Sequence, residues 1–149
     1  MTTLDDKKYF MQLAISEAKK SDKDIPVGCV IVENNKALAG AHNLREKNND
    51  ISAHAEILAL KKAGEKKGNW RLDECDLYVT LEPCPMCAWA ILNARIKNVY
   101  FASYDNTYGA FGSKINLSTL GNYKTKIHGG ILEEECNKLI KDYFAELRK

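Results

Sequence analysis

Apolar positions fall at helical spacing near the start of the chain, where Phe10, Leu13, Ala14 and Ala18 predict a helix over residues 5–20. The pattern then changes to short β-forming runs at 27–33 and 36–43, separated by Asn34-Asn35, a pair suited to a tight hairpin turn. A helical pattern returns over 53–66, with Ser52 placed to cap it. Leu77, Tyr78, Val79 and Thr80 mark a strand over 76–81, and a short helix over 85–94 carries Pro85 in its first turn. A strand over 98–103 follows, then a loop with a short helix to 121, a last strand over 124–128 and a closing helix over 132–147. This alternation predicts an α/β domain with a sheet of about five strands sandwiched by helices. No Pro/Gly/Ser-rich linker or internal repeat interrupts it, so residues 1–149 read as one domain.

Composition narrows the setting. A net charge of +2 permits a polyanionic partner without demanding one. Five cysteines is an odd number, and Cys29, Cys75 and Cys136 are far apart in apolar or helical contexts, which argues against a disulfide framework and for the reducing cytoplasm. Residues 1–8 lack the apolar core of a secretory signal, and the apolar run 86–92 is too short to span a bilayer.

The chemistry concentrates in two places: His54-Ala55-Glu56, and the stretch Thr80-Leu81-Glu82-Pro83-Cys84-Pro85-Met86-Cys87. Together they offer one imidazole, two thiols and a carboxylate that is not needed as a ligand. Three N/S ligands leave a tetrahedral zinc ion one open position, the feature that separates catalytic from structural zinc. A water held there becomes acidic enough to attack as hydroxide. The Cys84-x-x-Cys87 pair at a strand-to-helix junction gains from backbone N–H groups that favour thiolates. Taken alone it also reads as a redox pair or half of a structural zinc knot. No second such pair supplies a fourth ligand, however, and a redox pair leaves His54 and Glu56 unexplained. Glu56 leads into an apolar turn (Ile57, Leu58, Leu60), where a carboxylate has a raised pKa and suits proton transfer.

His-Ala-Glu followed by Pro-Cys-x-x-Cys resembles the signature of the zinc-dependent nucleobase deaminases. The likeness extends through Ile25 to Gly28, His42-Asn43, Ser52 to Leu60, Gly68 to Leu72, Leu77 to Cys87, Asn93 to Ile96, Gly109 to Ser113 and Gly130 to Cys136. Over nearly the whole chain it resembles the bacterial tRNA-specific adenosine deaminases. The resemblance implies a cytidine deaminase-like three-layer α/β/α sandwich around a central mixed sheet. It implies one Zn2+ per subunit on His54, Cys84 and Cys87, and Glu56 as the catalytic proton shuttle. It also implies conversion of adenosine to inosine at the wobble position of a tRNA anticodon loop. Asn43 then contacts the target base edge and Asp105 a neighbouring nucleotide, with Pro83 and Ala55 also on the substrate side. Phosphate contacts are expected from Lys114, Lys138, Lys141, Arg148 and Lys149, and a homodimer through the metal-bearing helix, whose Ala88, Trp89, Ile91 and Leu92 are apolar. Trp89, Tyr104, Thr107, Phe111 and Asn122-Tyr123 depart from the family pattern where nucleic acid would dock. Two other readings share the motifs: a deaminase of free guanine, cytosine or adenosine, and a non-catalytic RNA-binding partner subunit, against which the intact Glu56 argues.

Overall fold

The chain's computed structural model describes residues 2–149. Helix α1 (Leu4–Ala18) opens with a reciprocal cap, in which the Thr3 hydroxyl accepts from the Asp6 N–H and the Asp6 carboxylate accepts from the Thr3 N–H. Strands β1 (Gly28–Glu33) and β2 (Lys36–His42) form the expected hairpin. Asn34 and Asn35 both take positive φ, of 50° and 61°, as a turn matched to strand twist requires. A one-turn helix α2 (Arg45–Asn48) was not expected, since four polar residues give no apolar period. Helix α3 (Ala55–Lys67), strand β3 (Cys75–Leu81), helix α4 (Pro85–Asn93) and strand β4 (Asn98–Ser103) follow. A 3-10 turn at Leu117–Thr119 precedes strand β5 (Lys126–Gly129) and helix α5 (Glu133–Leu147).

The five strands lie in the order β2-β1-β3-β4-β5, antiparallel on the β2-β1-β3 side and parallel across β3-β4-β5. Burial on both faces explains why β1 and β4 are almost continuously apolar. One face packs against α3 and α4 around Ile31, Leu77, Val79, Ile91 and Leu92. The other packs against α1 and α5 around Phe10, Met11, Tyr78, Tyr100 and Cys136. The predicted three layers are therefore present, with a core on each side of the sheet. Two close approaches depend on small residues. A Cβ at Gly28 would meet the Ala14 carbonyl oxygen at 1.9 Å, so α1 packs on β1 only because that position is bare. Ala55, Ala59 and Ala63, four residues apart and fully buried, give α3 a flat stripe against the sheet.

Two expectations change. Ser52 does not cap α3: its N–H and hydroxyl both bond the Asp50 carboxylate at 2.8 and 2.7 Å, and His54 takes the cap position without a side-chain cap bond. On α4, Ala88, Ile91 and Leu92 are buried inside their own chain, and of the four residues expected at the interface only Trp89 is exposed. Among the described residues no helix is long and apolar enough to cross a membrane.

Candidate active site

Parallel strand β3 ends at Leu81, and the chain turns through Glu82 and Pro83 into α4, whose N-cap is Cys84. Pro85 at the first helical position fixes the backbone there and leaves one fewer amide to satisfy. Cys87 lies one turn on, fully buried. Opposite, the Leu44 N–H bonds the Ala53 carbonyl at 2.9 Å, closing the loop between β2 and α3. That closure sets the Asn43 side-chain oxygen 2.9 Å from the Ala55 N–H, while its amide nitrogen donates to the Ile25 carbonyl at 3.0 Å. Asn43 thus anchors the start of α3, and His54 is held across from the two cysteines.

The His54 Nδ1 lies 3.4 Å from the Cys87 sulfur and 3.8 Å from the Cys84 sulfur, and all three donor atoms fall within 4.8 Å of one another. Tetrahedral zinc with Zn–N near 2.05 Å and Zn–S near 2.3 Å places an N and an S ligand about 3.6 Å apart. The N/S donor set and these spacings fit a zinc ion, with only three protein donors to fill four positions.

The three donors act on one another's protons. The Cys84 thiol is held down to about 4, first by a hydrogen bond from Cys87 and then by His54. Cys87, the donor in that pair and nearly enclosed, is pushed upward. His54 is raised, chiefly by its contact with Cys84. Glu56, only 4% exposed in the first turn of α3, is pushed up to about 7, mainly by burial. Cys29 from β1 lies fully buried near Glu56, and burial drives its thiol well above the ordinary value.

These groups face a cavity of about 350 Å3 lined by Ile25, Val27, Asn43, Arg45, His54, Glu56, Leu81, Glu82, Cys84, Asp105 and Tyr108. Its apolar walls with a few convergent polar groups are those of a small-ligand site. The structure therefore gathers His54, Glu56, Cys84, Asn43 and Asp105 in one place. Cys87 sits behind the cavity as a donor. Ala55 and Pro83 are not in its lining: Ala55 is buried with its N–H given to Asn43, and the Pro83 carbonyl accepts from the Ala110 N–H at 2.9 Å. Asp105 reaches the rim while its Oδ1 holds the N–H groups of Thr107 and Tyr108, both at 3.0 Å. Trp89 lies outside, edge-on to Tyr123 in a separate cleft with Arg95.

Sequence reasoning missed two residues here. Arg45 lines the cavity, held by the nearly buried Asp24 at 3.0 Å. Glu82 also lines it, almost fully buried, and its only sequence signal was its place beside Pro83 and Cys84.

The model of the cytidine and deoxycytidylate deaminase zinc-binding region matches residues 4–103. The chain belongs to that deaminase family. Among family members, the tRNA-specific adenosine deaminase of Bacillus subtilis (strain 168) is 43% identical over 144 residues, which is 94% of this chain and 89% of that protein. A solved structure from studies of A-to-I editing by tRNA:A34 deaminases at the wobble position of transfer RNA is 36% identical. It superposes with a TM-score of 0.85 over 88% of this chain and 98% of that one. A guanine deaminase from Nitrosomonas europaea superposes with a TM-score of 0.83 over 93% of this chain and 84% of its own, at 20% identity, a likeness of fold alone. Zinc is accordingly the metal of this deaminase domain, and His54, Cys84 and Cys87 are the group among the described residues placed to hold it.

Proposed function

We propose that the protein hydrolyses adenosine to inosine at the wobble position of a tRNA anticodon loop, releasing ammonia. The observation that carries this reading is 43% identity over 94% of the chain to a tRNA-specific adenosine deaminase. His54, Cys84 and Cys87 would hold one zinc per subunit. When bound in such a site, zinc acidifies a water molecule so that it can attack a carbon at neutral pH. Glu56 takes one proton from the water and passes it to the purine ring nitrogen, then takes the second from the hydroxyl now on the carbon and passes it to the departing amine, which leaves as ammonia. A buried carboxylate with a pKa near 7 can do both near neutral pH. Asn43 retains one amide hydrogen and an oxygen lone pair beyond its two internal bonds, and these meet the edge of the adenine. Asp105 faces a neighbouring nucleotide, while Pro83 and Ala55 contribute by fixing the backbone that frames the cavity. An anticodon loop suits the site, because its bases are already partly unstacked and one can be extruded at low cost.

Phosphate contacts fall to Lys114, Lys138, Lys141, Arg148 and Lys149. Lys138 and Lys149 are paired with Asp142 and Glu146, at 2.6 and 3.3 Å, until RNA displaces those partners. The experiment is a comparison of ammonia release from an anticodon stem-loop with a wobble adenosine and from free guanine, cytosine and adenosine. Release from the stem-loop is expected. Release only from the free compounds overturns the reading in favour of a free-base enzyme, and release from none favours a non-catalytic RNA-binding subunit.

The working form is a cytoplasmic homodimer joined through the α3/α4 face. What supports it is an open groove of about 700 Å3 lined by Ile57, Leu60, Trp70 and Ala90, with Trp70 63% exposed. Sedimentation is expected to give twice the chain mass of 16.8 kDa, and Trp70→Glu to shift it toward one chain. A wild type sedimenting as a single chain at micromolar concentration refutes the dimer.

A further inference from the structure

Glu82 is 2% exposed, and no Lys or Arg forms a salt bridge with it among the described residues. Four donors satisfy it instead. Its Oε1 accepts from the Asp105 N–H at 3.1 Å and from the Ser113 hydroxyl. Its Oε2 accepts from the N–H groups of Phe111 and Ser113, both at 3.1 Å. All four come from one loop, residues 105–113. The same loop is tied to the next residue by the Ala110 N–H on the Pro83 carbonyl. The fit is close: a Cβ at Gly109 would fall 2.5 Å from the Glu82 Oε1 and 2.4 Å from the Asp105 carbonyl oxygen. The loop is therefore wrapped around one side chain.

We infer that Glu82 is a positioning residue for the substrate, clamping loop 105–113 to the turn that bears Cys84. The inference rests on the reading above, that the cavity takes the target nucleotide. From this loop Asp105 and Tyr108 reach the cavity, and from the turn Cys84 does. One carboxylate thus sets the distance between the substrate-side wall and the ligand-bearing helix. It acts by holding rather than by proton transfer, because both of its oxygens are already filled by two donors each. A glutamine cannot replace it: one acceptor oxygen remains, and the new NH2 faces N–H groups with nothing to offer them.

The test uses the full zinc-loaded chain and an anticodon stem-loop with a wobble adenosine, comparing wild type with Glu82→Gln and with the milder Ser113→Ala. In Glu82→Gln the zinc content should be unchanged. KM should rise roughly tenfold or more with kcat within about threefold, since the loop supplies substrate contacts and none of the reacting groups, and loss of uniform binding raises KM alone. Amide hydrogen exchange at 105, 111 and 113 should accelerate, while β1 and β3 keep their protection. Ser113→Ala should shift KM and exchange the same way by less, and it carries the test if Glu82→Gln does not fold. Unchanged exchange across the loop in the folded variants overturns the clamp, and a fall in kcat at constant KM overturns the positioning role. A wild type that leaves the stem-loop intact refutes the functional reading and with it the substrate role, while the exchange data still decide the clamp.

Discussion

Glu56→Ala is expected to keep one zinc per subunit and to lower turnover of the stem-loop by about 10²–10⁴-fold, the range for loss of a positioned acid/base. The residue sits at the cavity, two positions from His54, but it is not in the cluster of three donors. Metal analysis and ammonia release on the same sample check both halves, and activity within a few-fold of wild type removes Glu56 from the role. The substitution carries a second signature in metal-free protein. Burial raises Glu56 from 4.5 to about 7, so between those values the folded state keeps a proton that the unfolded chain has lost. Stability from this group is present below about 4.5 and is lost as pH rises through about 7. The metal-free Glu56→Gln variant, which cannot ionise, should therefore gain melting temperature over metal-free wild type at pH 8 and little at pH 5. An equal shift at both pH values means that the carboxylate is not held protonated by its surroundings.

Cys87→Ala is expected to strip the protein of zinc and activity together. Only His54 and Cys84 would remain as donors, and the loss in affinity should exceed the roughly 10–100-fold that follows removal of an outer-shell partner. Cys29→Ala is the matched control. Cys29 is equally buried and close to Glu56, yet it stands outside the donor cluster, so it should keep full metal stoichiometry. Atomic emission on freshly isolated material decides between them. Unchanged zinc in Cys87→Ala would exclude that sulfur from the ligand set.

Much of this was legible before any coordinate. The strand over 98–103 is found at the expected bounds, and the hairpin, the two metal-side helices and the closing helix lie within two residues of theirs. Those segments have strong periods or strong turn residues, and local chemistry decides them. The loop over 44–54 was not legible in detail. There Asp50 outcompetes the helix for Ser52, and Arg45 is fixed by Asp24, twenty-one residues away in sequence. The donor set was readable because metal ligation demands rare residue types. The clamp at Glu82 was not, because its partners are mostly backbone amides, which every residue carries.

The amide of Asn43 has one further consequence. It joins the Ile25 loop to the first turn of α3, next to the histidine. Swapping this side chain would shift the imidazole along with the cavity wall, so the shape of the cavity and the placement of the donors could not be tuned separately there. The Tyr108 side chain, 66% exposed at the cavity, is the better starting point for redesign.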